Sequence, residues 1–224
     1  ARKGFAVLTL ESGDLKQEME THPLNKVIYK KSIYNSSNIG RFRCLGGTST
    51  RWGAAMLPLS SRDIIDGKWP ISPEEILKYL NEVESLFGLP HDSYFYQEDL
   101  STNNLNFILR YAKLPSYKNR NVYDVFKKIV DSKKGPKIWI NATVTKLKVS
   151  NGNLSELEAE SKEGSKINIK GKQFIFAAGA IESTRLMLLL DQQNNNCITK
   201  VSPSLGKFFC DHISIPVSEI EIKN

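Results

Sequence analysis

Three stretches of the 224-residue sequence predict an α/β fold with α+β elements. "GFAVLTLESGD" (4–14) is a nearly continuous apolar run closed by an acidic residue, the pattern of a parallel strand covered on both faces. "ISPEEILKYLNEVESLFGLP" (71–90) repeats Ile76, Leu80, Val83 and Phe87 at three- and four-residue spacing, the period of a helix with one buried face. From residue 137 the period falls to two, which is sheet.

Taken in order, the elements have local reasons. The first strand, Phe5 to Leu10, ends in Glu11-Ser12-Gly13. Residues 15 to 45 are polar and irregular, and "YNSSNIG" reads as loop. The helix over 71–90 opens with Ser72 as N-cap, Pro73 at the first helical position and Glu75 completing a capping box, and Gly88 and Pro90 stop it. A second amphipathic helix is expected over 121–133 and a weaker one over 102–112. "KIWI" is a short strand. "TVTKLKV", "LSELEAE" and "KINIK" then form a three-stranded antiparallel meander, with Asn151-Gly152 as a hairpin turn. "QFIFAAGA" (173–180) reads as another buried strand running straight into a helix, "IESTRLMLLLD". The tail after residue 212 looks like the start of a new strand. There are no internal repeats or low-complexity segments.

Composition narrows the function classes. No apolar run approaches the ~18 residues of a membrane helix. Cys44, Cys197 and Cys210 are far apart, with no CxxC pair and no zinc-site spacing. That is the usage of a reducing compartment, so a cytoplasmic location is expected. The net charge of +7 is concentrated: residues 110 to 137 carry nine Lys or Arg against Asp124 and Asp131. Such a surface could attract nucleic acid, anionic glycans or lipid headgroups, or simply solvate a helix face. No nucleic-acid motif accompanies it, and no nucleic-acid partner is expected.

Several residues could carry chemistry. Glu11, at a parallel strand's carboxyl end, is placed to accept hydrogen bonds from a ribose hydroxyl, or is an ordinary exposed strand end. The usual glycine-rich companion lies about 20 residues upstream. None of the fourteen glycines forms it, and only ten residues precede Glu11, so it would fall before residue 1. Gly46 and Gly47 permit close backbone approach, and with Thr48 and Ser49 they could meet a pyrophosphate or a ring's polar edge, or only make a tight turn. Trp52 could stack on such a ring or wall off a pocket. Gly179 leaves room at a helix N-terminus for an anionic group, or for close strand–helix packing. Asp211 and His212 form a candidate acid–base pair without a visible third partner. His22 and His91 carry no signal.

Together these segments resemble the glucose–methanol–choline (GMC) oxidoreductases, in particular their bacterial sugar-oxidising and pyranose-oxidase-like branch. "VLTLESGD" is similar to the family's second strand with its ribose-binding Glu. "GGTSTRWGAAMLP" resembles the flavin-contacting glycine segment. "DGKWPISPEEILKYLNEVESLFGL" resembles the passage that follows it, and "NATVTKL" the strand whose backbone meets the adenine. "FIFAAGAIESTRLMLLL" is close to the family signature, and "LGKFFCDHI" resembles a passage near the flavin.

The resemblance implies an FAD/NAD(P)-binding, Rossmann-like three-layer domain with an antiparallel β-meander. Its parts are 1–60, a helical insertion at 61–136 on the substrate side, 137–212 with the meander, and the start of a substrate-binding sheet at 213–224. It implies FAD bound by Glu11, Ser12, Gly46, Gly47, Thr48, Ser49, Trp52, Gly53, Val144, Ala178, Gly179, Asp211 and His212. Some pyranose-oxidase relatives carry at the position of Arg51 a histidine that bonds covalently to flavin. Arginine cannot make that link, so noncovalent FAD is expected. Its fixed charge could favour an anionic reduced flavin or bind an acidic sugar. The implied reaction is oxidation of a CH–OH group on a sugar, polyol or other alcohol, with an undetermined electron acceptor. The family's glycine loop and its C-terminal catalytic His with a second His or Asn have no match, so the chain is expected to be a largely inactive fragment. The rival expectation is a non-catalytic flavin- or glycan-binding remnant that uses the basic 110–137 surface.

Overall fold

The computed structural model describes residues 4–17, 22–30, 36–59, 71–94, 96–97 and 109–210. The chain is mixed α/β and divides into two compact units, Ala1–Ala142 and Thr143–Asn224.

In the first unit, β1 (Leu8–Leu10) pairs in parallel with β4 (Lys137–Trp139), with Thr9 opposite Ile138. Parallel pairing of these two segments fits the expected α/β class. The strand is shorter and more open than the apolar run predicts: Phe5 is 68% exposed and Val7 40%. The reason is that β4 is its sole strand partner among the described residues, so burial on both faces is not achieved.

The helix expected over 71–90 is two helices, α2 (Pro73–Leu77) and α3 (Leu80–Phe87). Ser72 caps the first through its hydroxyl to the Glu75 amide, as expected. The break follows from a tightened turn, in which the Tyr79 amide bonds Ile76 three residues back rather than four. Gly88 ends α3 in the left-handed conformation, φ 67°. A short helix, α1 (Ser36–Ile39), interrupts the polar stretch.

The weaker helix expected at 102–112 lies mostly outside the described residues. Its end, Leu109–Arg110, is instead a strand, β3, pairing antiparallel with β2 (Tyr96–Gln97). α4 (Val122–Val130) confirms the helix expected over 121–133. The Asn121 side chain caps it at the Tyr123 amide, 3.0 Å. It stops earlier than the pattern suggests because the chain doubles back at Gly135. A Cβ there would stand 2.2 Å from the Val130 carbonyl oxygen.

The second unit is the clearest match between pattern and structure. β5 (Thr143–Ser150), β6 (Asn153–Glu160) and β7 (Lys166–Lys170) form an antiparallel sheet in that order. Asn151 and Gly152 both take positive φ, 51° and 75°, as a two-residue hairpin of this hand requires. Leu147, Leu157 and Ile169 line up across the three strands. The opposite face is laced with charge: Lys146 pairs with Glu158, Lys166 with Glu158 and Glu160, and Lys170 with Glu156.

α5 (Gly179–Gln193) packs against β5. Its last side chains complete the edge of β5. The Gln193 side chain accepts from the Leu147 amide at 2.9 Å and donates to the Thr145 carbonyl at 3.0 Å. Asn194 accepts from Val149 at 3.0 Å and donates to Leu147 at 2.8 Å. Two side-chain amides thus imitate a missing strand. Just beyond, the Asp191 carboxylate receives the Ile198 and Thr199 amides and the Thr199 hydroxyl. Burial pushes its pKa up, but these bonds outweigh that and hold it below the usual carboxylate range.

"QFIFAAGA" is not a strand. Residues 173–177 have no ladder partner among the described residues, and Ile175 is 90% exposed. Apolar composition marks what a segment can bury, and here nothing described covers it. The helix that follows begins at Gly179, two residues before Ile181, where the pattern starts it. The tail strand falls outside the described residues.

Asn194→Ala is expected to destabilise the second unit by about 1–3 kcal/mol, because it strips partners from a strand edge. The exposed control Ser150→Ala should stay within about 0.5 kcal/mol. Denaturant unfolding of the two variants measures the difference.

Candidate functional site

β1 leads into a turn that is zipped along its length. The Glu11 amide donates to the Trp139 carbonyl (2.9 Å), the Ala142 amide to Glu11 (2.9 Å) and the Asn141 amide to Gly13 (2.8 Å). The turn therefore has a fixed course, and the Glu11 side chain folds over it, Oε1 accepting the Gly13 amide at 2.7 Å. Glu11 is partly buried, and burial raises its pKa. The Gly13 amide, the Arg43 charge and Ser12 oppose that shift without cancelling it. Ser12 is held by Arg43, whose Nη1 donates to its hydroxyl at 2.7 Å.

The glycine segment lies beside this turn. Asp14 and Cys44 form a parallel bridge, and the Leu45 amide donates to the Asp14 carbonyl at 3.0 Å. Gly47–Thr50 is a 3-10 turn entered from Gly46 at φ 90°, a conformation suited to glycine. Cys44, 1% exposed, sits between the two segments. Burial pushes its thiol pKa up and the Glu11 charge adds to that, while Thr50, the Gly47 amide and Arg51 pull the other way. The structure thus brings Glu11, Ser12, Gly46, Gly47, Thr48 and Ser49 into one neighbourhood.

Within that neighbourhood the side chains divide. The Ser49 hydroxyl accepts the Val122 amide at 3.0 Å and donates to the Gly46 carbonyl, so it serves the N-terminus of α4. The Trp52 indole N–H donates to the Arg120 carbonyl at 2.7 Å, and its ring meets Phe87 edge-on, centroids 6.2 Å apart. Thr48 is exposed, and Gly53 is exposed with open space where a side chain would stand. Arg51 is exposed, its Nε donating to Gln17 at 2.9 Å.

The remaining expected site residues belong to the second unit or lie outside the described residues. Val144 lies on β5 opposite Ala159, beside a bulge. Ala178 precedes α5, its amide donating to the Ser183 hydroxyl at 3.0 Å. Gly179 has φ 79°, and a Cβ there would meet nothing within 4 Å, so the helix N-terminus is open. Asp211 and His212 lie outside the described residues.

Two arrangements escape a sequence reading. Arg43 is one: only its position in "RFR", ahead of the glycines, hints at a role. The other centres on Glu84, 2% exposed, whose Oε1 meets Lys113 Nζ at 2.7 Å. The Lys113 ammonium also reaches the Pro90 carbonyl and the Asp92 carboxylate and stands 4.2 Å over the Tyr94 ring. Glu84 falls on the apolar stripe of α3 with Leu80 and Phe87. A charge in such a stripe is the available signal of a buried partner. Glu84 borders an apolar cleft of about 590 Å³, walled by Met56, Leu57, Ile76, Leu80, Val83 and Leu89.

Among the described residues no group of His, Cys, Asp or Glu could hold a metal, and no helix is long and apolar enough to cross a membrane. Compared with known proteins, the chain matches no family model and no curated protein. The class established for it is therefore structural: a mixed α/β chain with a parallel strand pair and an antiparallel meander.

Gly46→Ala is expected to cost about 2 kcal/mol or more, because its Cβ would stand 2.1 Å from the Asn121 oxygen that caps α4 and would hold an unfavourable φ. A lowered denaturation midpoint measures it. Glu11→Gln tests the carboxyl's environment. A raised folded pKa means that ionising Glu11 costs stability as pH climbs from the ordinary carboxylate range through the folded value. The variant lacks that cost. It should gain on the wild type across that window and keep the gain at neutral pH, with no gap at lower pH, in paired unfolding titrations.

Proposed function

We propose that this chain is the FAD-binding part of an oxidoreductase of the GMC type, acting on a CH–OH group of a sugar, polyol or other alcohol. The observation that carries the reading is the meeting of two motifs distant in sequence. Glu11, ending a parallel strand, and the Gly46–Ser49 turn are joined through the Asp14–Cys44 bridge. A carboxylate at that strand end suits the hydroxyls of a ribose. In the second unit, taken by itself, the open helix N-terminus at Gly179 suits an anionic group.

The fit is uneven, and the unevenness is specific. Ser49 and Trp52 already commit their polar atoms to Val122 and Arg120, so they are poor candidates for contacts to a cofactor. The Ser12 hydroxyl is likewise held by Arg43; Glu11 and the backbone of the glycine turn are better ones, and Thr48 and Gly53 remain open to solvent. When bound, the flavin would supply the redox chemistry, accepting hydride from the alcohol carbon. The chain's own part is to hold the adenosine end by Glu11 and to bring backbone close to the ligand at Gly47, since the Asn121 side chain already fills the space beside Gly46. Arg51 offers no nucleophile for a covalent link, so the association is noncovalent. Its exposed guanidinium adds a positive charge near the same turn.

Titration of the purified chain with FAD, followed by flavin fluorescence, tests the reading. Saturable binding is expected, weakened about tenfold or more by Glu11→Ala, the loss of charge-assisted hydrogen bonds. A folded chain that leaves FAD fluorescence unchanged at every concentration rejects it.

A further inference from the structure

The turn that presents Glu11 is held from the side by one guanidinium. Arg43 Nη1 donates to the Ser12 hydroxyl at 2.7 Å, Nε to the Asn25 side-chain oxygen at 2.8 Å, and Nη2 to the Leu24 carbonyl at 3.3 Å. Each of its nitrogens thus has a partner, and the partners lie 31, 18 and 19 residues away in sequence. We infer that Arg43 is a positioning residue for Glu11, aiming its carboxylate by clamping the Glu11–Asp14 turn through Ser12 and Asn25. The role in ligand binding rests on the flavin reading; the clamp itself does not.

Three features make this a clamp rather than a surface arginine. First, its far anchor is rigid. Asn25 is 2% exposed, its side-chain Nδ2 donates to the Arg41 carbonyl at 2.8 Å, and its backbone carbonyl accepts from Arg41 Nη2 at 2.8 Å. Second, the fork is planar, so binding Asn25 with Nε and Ser12 with Nη1 fixes the Ser12 hydroxyl in direction as well as distance. A lysine could supply the charge but not that geometry. Third, the Arg43 backbone abuts the same turn. A Cβ on Gly13 would stand 1.9 Å from the Arg43 carbonyl oxygen.

Ser12 and Gly13 flank one peptide group, and the Gly13 amide is the donor that holds Glu11 Oε1. Any rotation of that peptide when the clamp opens must carry the carboxylate with it. Burial acts on Glu11 more strongly than any single neighbour, and the Arg43 charge is among the groups that counter it. Position and charge therefore act together on the one side chain expected to meet a ribose.

The test uses Arg43→Met, Ser12→Ala and the double variant, in the full chain. Two quantities are read in each: hydrogen exchange of the Gly13 amide by NMR, and FAD affinity by fluorescence. Either single change should speed Gly13 exchange and weaken FAD binding, each about tenfold, the effect of one charge-assisted hydrogen bond. The double variant should be no worse than the poorer single, since both act through one contact. If Arg43→Met does not fold, Ser12→Ala, which removes only a hydroxyl, carries the comparison alone. Unchanged Gly13 exchange in the folded variants overturns the inference, as do losses that multiply in the double. A wild-type chain that ignores FAD defeats the flavin reading, and the exchange rates then decide the clamp by themselves.

Discussion

Gly13 has no room for a side chain, and much of the first unit follows from that closeness. The Arg43 carbonyl lies where a Cβ would be. Only because the two backbones touch can Asp14 bridge to Cys44, and only then does the glycine turn come to lie beside the end of β1. The opposite side of the same turn is bonded to residues 139–142. One residue without a side chain therefore joins three segments that are far apart in sequence. Glycine's conformational cost is offset here by contact distance rather than by an unusual φ.

The second unit solves a different problem, the open edge of a small sheet. A strand edge exposes amides and carbonyls that invite pairing with other chains. On β5 these groups meet the side chains of Gln193 and Asn194 at the end of α5. The helix thus does two jobs: it packs on β5 with its Leu190 buried, and its terminal side-chain amides close the ladder. The outer face of the meander needs no cover, because lysine and glutamate alternate across it.

What the sequence made legible follows from how local each signal is. The meander, its Asn151-Gly152 turn and α4 with its Asn121 cap depend on neighbours within a few residues, and they appear where the pattern places them. The two long apolar runs did not behave as buried strands. Phe5, Val7 and Ile175 are apolar in composition, but what would cover them is not written in their own segment. The candidate site divides in the same way. The positions of Glu11 and the Gly46–Gly47 pair were readable from type and spacing. The engagement of Ser49 with Val122 and of Trp52 with Arg120 was not, since those contacts span 73 and 68 residues. Arg43 and Glu84 were missed for the same reason: each is defined by its partners.

The burial of Cys44 has a consequence for how the chain would age in an oxidising solution. Its sulfur is closed off between two turns and is reluctant to ionise, whereas Cys197 and Cys210 are exposed. Peroxide and alkylating reagents therefore reach Cys197 and Cys210 before Cys44. The last of them reacts only when the neighbourhood of Glu11 has come apart, so the molecule carries its own gauge of whether that region is shut.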